Sequence, residues 1–202
     1  MKIRPSNTMK PILFNTEMVR ATLDNRKTVT RRVVKPQHLR VLDSPYHKEH
    51  PETPDKVLLE RLCRPPYLLG DLLYVRETWC QPAAHTFWYK ADSTVQNIKW
   101  RPSIHMPREA ARIFLRVTDV RVQRLQRICE RGRRSAHNEG FINDIRLAEG
   151  TGKSATKHFS EFWDSTIKPK DRALYGWAAN PWVWVIEFER CEKPEDAQNE
   201  ID

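Results

Sequence analysis

The sequence predicts an α+β domain built around a small mixed β-barrel with two or three flanking helices. Apolar residues alternate with two-fold period along the best-patterned segments, helical period is confined to short stretches, and no regular strand–helix–strand repeat runs through the chain. Pro11 to Phe14 reads as an opening strand. Asn15 and Thr16 then offer capping side chains, with Glu17 favourably placed in a first turn. Met18, Val19, Thr22 and Leu23 share one helical face, and Asp24-Asn25 should end the helix, since Asn tolerates a left-handed backbone. Arg26 to Val34 follows as a basic loop or extended segment. Residues of about 35–66, rich in Pro, His and charge, read as an irregular insertion within a single domain spanning 1–190.

Gly70-Asp71 signals a turn, and Leu72 to Thr78 alternates as a strand with Leu73, Val75 and Glu77 on one face. Phe87 to Ala91 is a second strand of this region. Pro107 opens one or two helical turns. Ile113 to about Leu125 forms a longer strand whose apolar phase slips near Thr118-Asp119, which a β-bulge would correct. Ser154 caps a helix to about Thr166 with Phe159, Phe162 and Trp163 on its apolar face. Trp182, Trp184, Ile186 and Phe188 alternate along a closing strand. Beyond it, residues 191–202 form an acidic tail expected to fray.

The charge is uneven. The chain of 202 residues has 35 Lys+Arg against 26 Asp+Glu and a formal charge of +9, which suggests either a polyanionic partner or a solvated basic surface. Residues 20–40 hold seven basic groups and one acid, and residues 121–134 hold six basic groups and one acid. No run of eighteen apolar residues and no apolar stretch near Met1 is present, so a membrane span and a secretory signal are not expected. Cys63, Cys80, Cys129 and Cys191 are widely spaced, and the histidines lack ligand spacing; no metal or other cofactor is expected, and reduced thiols fit a cytoplasmic protein. Gly150-Thr-Gly-Lys-Ser154 lacks the earlier glycine of a phosphate-binding P-loop, since Leu147 occupies that position, so Lys153 and Ser154 read as a turn and a helix cap.

Asn25-Arg-Lys-Thr-Val-Thr-Arg-Arg32 concentrates four cations and two hydroxyls directly after a helix, where phosphate or a carbonyl oxygen can be bound. This segment resembles the signature of the ASCH family of the PUA-like superfamily, Gly-x-Lys-x-x-(Glu/Thr)-x-Arg, with Lys27, Thr30 and Arg32 at the matching positions and Asn25 in place of the glycine. Gly70-Asp-Leu-Leu-Tyr-Val-Arg-Glu77 is similar to the family's Gly-Asp-x-Leu-x-Val-x-Glu strand. In its longer form, through Trp79, the Trp100–Pro107 loop and Asn180 to Phe188, the chain resembles phage and prophage ASCH-like proteins.

The resemblance implies a PUA-like fold and an amidohydrolase that removes an acyl group from N4-acetylcytidine or a related nucleoside. Lys27, Thr30 and Glu77 would be its catalytic residues. A Thr hydroxyl needs a base to become nucleophilic, and Lys27 can serve only if desolvation or the cations Arg26, Arg31 and Arg32 lower its pKa. Glu77 would orient Lys27 or carry a proton to the leaving amine, although its charge would also raise the lysine pKa. A purely architectural Lys27–Glu77 ion pair is the plainer alternative. The rival function is noncatalytic binding of RNA or a modified nucleotide, with Lys27, Arg31 and Arg32 on phosphates, Trp79, Trp88, Tyr89 or Trp100 stacked on a base, and Arg26, Arg76 and His105 as further candidate binding residues. A ribonuclease is disfavoured because no His or carboxylate pair stands out, and a phage structural protein would leave these residues replaceable.

Overall fold

The computed structural model describes residues 9–95, 97–129, 134–142 and 153–194. Its centre is a five-stranded mixed sheet. Strands β1 (Lys10–Leu13), β2 (Val29–Val33), β3 (Leu72–Arg76), β6 (Phe114–Arg124) and β7 (Trp182–Cys191) lie in the order β1-β3-β6-β7-β2, with β1 parallel to β3 and every other pair antiparallel. Strands β4 (Trp79–Ala83) and β5 (Thr86–Tyr89) form a separate hairpin. The α+β class is therefore observed, but the expected barrel is not closed: β1 and β2 remain the two edges of an open sheet. Alternation within strands reports which side chains face inward; it carries no information about whether the outermost strands meet.

Helix α1 (Thr16–Leu23) begins where expected, with the Asn15 side chain accepting from the Met18 N–H at 2.8 Å. It ends at Asn25, whose φ of 56° provides the left-handed turn. The segment expected to be irregular is instead a string of short helices: α2 (Pro36–Leu39), a 3-10 turn at Arg40–Asp43, α3 (Pro45–Glu49) and α4 (Asp55–Leu62). Prolines at the first turns of α2 and α3 start these helices without sacrificing a needed N–H, and burial of Leu58 and Leu59 holds α4 down.

The phase slip in β6 is a register shift against β7 between Val117 and Asp119. It returns Val120 and Val122 to the face of Val117, opposite Ile186 and Trp184, so the strand keeps one apolar face along its length. That face packs with Phe14, Val19 of α1 and Leu59 of α4. The other face of β7 is also buried: Val183 and Val185 lie under α6 (Ala155–Thr166), which contributes Phe159 and Trp163. Each such side chain stabilises the fold by about 1.5–3 kcal/mol relative to leaving it exposed. Ser154 caps α6 by accepting from the Lys157 N–H, and Lys153 pairs with Glu161 at 2.7 Å. The remaining helices are α5 (Arg134–Asn138) and α7 (Arg172–Tyr175). The glycines of the GKS-like segment and the acidic end beyond 194 lie outside the described residues. No helix among those residues is long and apolar enough to cross a membrane.

Candidate functional site

Strand β2 is an edge, and the cleft beside it is bounded by the start of α1 and by α6. A cavity of about 390 Å³ here is walled by Leu13, Met18, Phe159, Phe162 and Trp163, with Thr30, Arg31, Arg32 and Glu139 supplying its polar groups. A second mouth of about 350 Å³ shares Asn15, Met18, Glu139 and Phe162 and reaches Arg26 and Gly140.

Glu139 organises the polar floor. Lys27 forms an antiparallel bridge with Glu139, and the Thr28 N–H donates to the Asn138 carbonyl at 2.8 Å, so the segment after α5 lies along the approach to β2. The Lys27 ammonium, with no exposed side-chain surface, donates to Glu139 Oε2 at 2.7 Å, to the Val29 carbonyl at 2.7 Å and to the Glu139 carbonyl at 3.1 Å. Those are all three of its N–H donors. Arg31 Nη1 donates to Glu139 Oε1 at 2.7 Å. One carboxylate, only 2% exposed, thus serves two buried cations. Burial raises the Glu139 pKa, but Lys27 and Arg31 outweigh it and hold the carboxyl below its ordinary value. Burial also lowers the Lys27 pKa, helped by Arg32 and Arg31 and opposed by Glu139.

Gly140 makes this approach possible. Its φ is +96°, and a Cβ there would lie 2.7 Å from Ala21 Cβ and 3.4 Å from Lys27 Cβ.

Thr30 is fully buried within the strand, and its Oγ1 accepts from Arg32 Nη1 at 2.9 Å. Arg32 also donates to the Arg31 carbonyl at 3.0 Å and to the Leu13 carbonyl at 3.4 Å. No described carboxylate lies within ion-pair distance of it. Burial pulls the Arg32 pKa down, with Tyr67 and Glu139 opposing. Arg26 sits at the second mouth, bonded to the Gly140 carbonyl at 2.7 Å and to Asp24 at 2.8 Å.

Glu77 is buried as its strand position predicts, at 1% exposed, but its partner is Arg112 rather than Lys27. Arg112 Nε and Nη2 donate to its two oxygens at 2.9 and 3.0 Å, and Asp92 and the Tyr89 ring complete the cluster around that guanidinium. Burial raises the Glu77 pKa, and the two bonds from Arg112 only partly offset this. The Lys27–Glu77 pair considered from sequence is therefore replaced by two separate ion clusters, each with a partner far away in sequence. Arg76 donates to the Ile104 carbonyl at 3.2 Å, next to the exposed His105. Trp79 is 3% exposed, packed with Met106 and Phe87 and with Arg101 across its ring, so it offers no face for stacking on a base. Trp100, half-buried, precedes Arg101, which bridges to Trp79. Trp88 is exposed on β5, whereas the hydroxyl of Tyr89 is tied to the Ala110 carbonyl. None of Glu77, Arg76, Trp79, Trp100 or His105 lines the cleft beside β2.

Sequence reasoning missed Glu139, Phe162 as a cleft wall, and Arg112. The available signal was slight: a Glu-Gly pair in a short helical stretch, and an arginine directly before a strand. Among the described residues, no group of three His, Cys, Asp or Glu side chains is arranged to hold a metal ion. No protein-family model, curated protein or solved structure matches the chain.

Proposed function

We propose that the cleft beside β2 binds a nucleobase, with a modified cytosine nucleoside of the N4-acetylcytidine type, free or within RNA, as the ligand class. The observation that carries this is the state of Arg32. It stands with Thr30 at the base of an aromatic-walled cavity of nucleobase size, charged and without a carboxylate partner among the described residues. Its guanidinium has five N–H donors, of which three contacts are accounted for, so donors remain for a ligand carbonyl or phosphate oxygen. Phe162, partly exposed, supplies flat apolar surface for the ring, with the buried Phe159 and Trp163 behind it. The ligand identity rests on the resemblance of Lys27, Thr30, Arg32 and Glu77 to the ASCH pattern.

Amide hydrolysis is the second reading, favoured by a lysine of lowered pKa three residues before Thr30. Binding without turnover fits the geometry better. Lys27 has no free lone pair while it serves three acceptors, and Glu139 is held as a carboxylate by two cations, so neither is free to take the Thr30 proton. Purified protein titrated with N4-acetylcytidine should bind it without releasing cytidine, and Thr30→Val and Arg32→Met should each weaken binding. Cytidine release that Thr30→Ala abolishes would overturn the binding-only reading in favour of the hydrolase.

A further inference from the structure

Besides the cleft, Arg32 lines a separate cavity of about 460 Å³, together with Lys35, His38, Arg64, Tyr67, Trp184, Val33 and two prolines. The two cavities share Arg32 and Val33. None of the residues lining the second cavity is acidic. Lys35, Arg64 and Arg32 have no carboxylate within ion-pair distance among the described residues, whereas Lys27, Arg31, Arg112 and Arg121 are all paired. Three cations line one cavity with no counter-charge among its lining residues, an arrangement that favours an anion there.

The architecture keeps these groups together. Lys35 lies two residues after β2 and directly before α2, and Arg64 lies two residues after α4, so both come from the ends of the helical segment inserted between β2 and β3. Tyr67 is fixed by its hydroxyl bond to the Pro11 carbonyl at 2.8 Å, and Cys63 Sγ donates to the His38 carbonyl at 3.4 Å, which ties the two ends of the insertion. Trp184 is opposite Arg32 in the β2–β7 register and forms the cavity floor. The inserted segment thus completes a cationic cup over the open sheet edge.

We propose that this cup, formed by Lys35, Arg64 and Arg32, is a phosphate subsite adjoining the nucleobase cleft, so that the ligand is a nucleotide or an RNA phosphodiester rather than a free nucleoside. This rests on the nucleobase reading of the cleft for its orientation, with Arg32 reaching the ligand between base and phosphate. The cup's affinity for phosphate stands on its own residues. Lys35 and Arg64 are exposed at the rim, so their replacement leaves the buried core intact.

The test compares cytidine, cytidine monophosphate, a cytidine-containing dinucleotide and inorganic phosphate by calorimetric titration against wild type and Lys35→Gln/Arg64→Gln. Wild type should bind the monophosphate or the dinucleotide on the order of tenfold or more tightly than cytidine, as expected for charge-assisted bonds to phosphate. The double variant should lose that advantage while keeping its affinity for cytidine. Preference for the dinucleotide over the monophosphate assigns an RNA strand as the source, and the reverse assigns a free nucleotide. If wild type binds inorganic phosphate and the double variant does not, while neither protein binds cytidine or N4-acetylcytidine, the nucleobase reading fails and the phosphate subsite stands. Equal affinity for cytidine and its phosphorylated forms in wild type, or phosphate binding unchanged in the double variant, would overturn the proposal.

Discussion

Replacing Glu139 by Gln should be among the most destabilising single changes in this protein. The carboxylate neutralises Lys27 and Arg31, and all three side chains are 2% exposed or less. An amide of the same shape cannot do this work, because it carries no charge and turns an NH₂ toward one of the two cations. Removing one partner from a buried ion cluster costs about 3–5 kcal/mol, mostly as desolvated charge left uncompensated. For a chain of this length each kcal/mol moves the melting temperature by about 2–4 °C, so a fall of roughly 6–20 °C is expected. Urea unfolding followed by tryptophan fluorescence would measure the free energy, with Lys27→Met and the Lys27→Met/Glu139→Gln double variant completing a thermodynamic cycle. The double variant should lose less than the sum of the single losses, because it no longer buries an unpaired ammonium. A loss under about 1 kcal/mol for Glu139→Gln, or simple additivity in the cycle, would refute the view that one carboxylate holds both cations.

Acid should erase the difference between wild type and Glu139→Gln. The folded-state pKa of Glu139 is depressed, so its stabilisation is complete above the unfolded carboxylate value of about 4.3 and disappears as pH falls through the lower folded value. Stability curves that stay parallel below that value would contradict this. Gly140→Ala should lower the melting temperature, because the new Cβ would sit 2.7 Å from Ala21 and the backbone would stay at positive φ; the expected loss is about 1–3 kcal/mol by urea unfolding. Glu77→Gln should leave N4-acetylcytidine binding unchanged while reducing stability, since its contact is with Arg112, and a selective loss of binding would return Glu77 to the ligand site.

Local features were legible in the sequence because their causes are local. The Asn15 cap, the left-handed Asn25, the slip at Thr118 and the Ser154 cap all follow from residues within a few positions of the feature they control. Strand β4 escaped notice because Pro82 interrupts its pattern and its outer residues are exposed, leaving Trp79 and Cys80 as its only buried positions. Helices α2 and α3 escaped because four or five residues are too few to show a period, and α4, though as long as α1, groups its apolar residues in the contiguous run Val57-Leu58-Leu59. The candidate site was half legible. Lys27, Thr30, Arg31 and Arg32 lie within six positions of one another, and the cleft does collect Thr30, Arg31 and Arg32 above the buried Lys27. Their counter-charge comes from Glu139, 112 residues beyond Lys27, and Glu77 finds Arg112 35 residues away. Pairing at that range is decided by packing of the whole sheet, and composition or spacing cannot announce it. The same holds for the charge excess: Arg121, in the second basic segment, is neutralised by Asp119 and Glu187, whereas Arg32, Lys35 and Arg64 remain unpaired among the described residues.

The measurement that bears most directly on the nucleobase cleft is calorimetric titration of N4-acetylcytidine into wild type, Thr30→Val and Arg32→Met, with product release followed in the same samples. Saturable binding by wild type, weakened by both substitutions and accompanied by no cytidine release, is the expected result. Absence of binding, or binding that neither substitution changes, would contradict it.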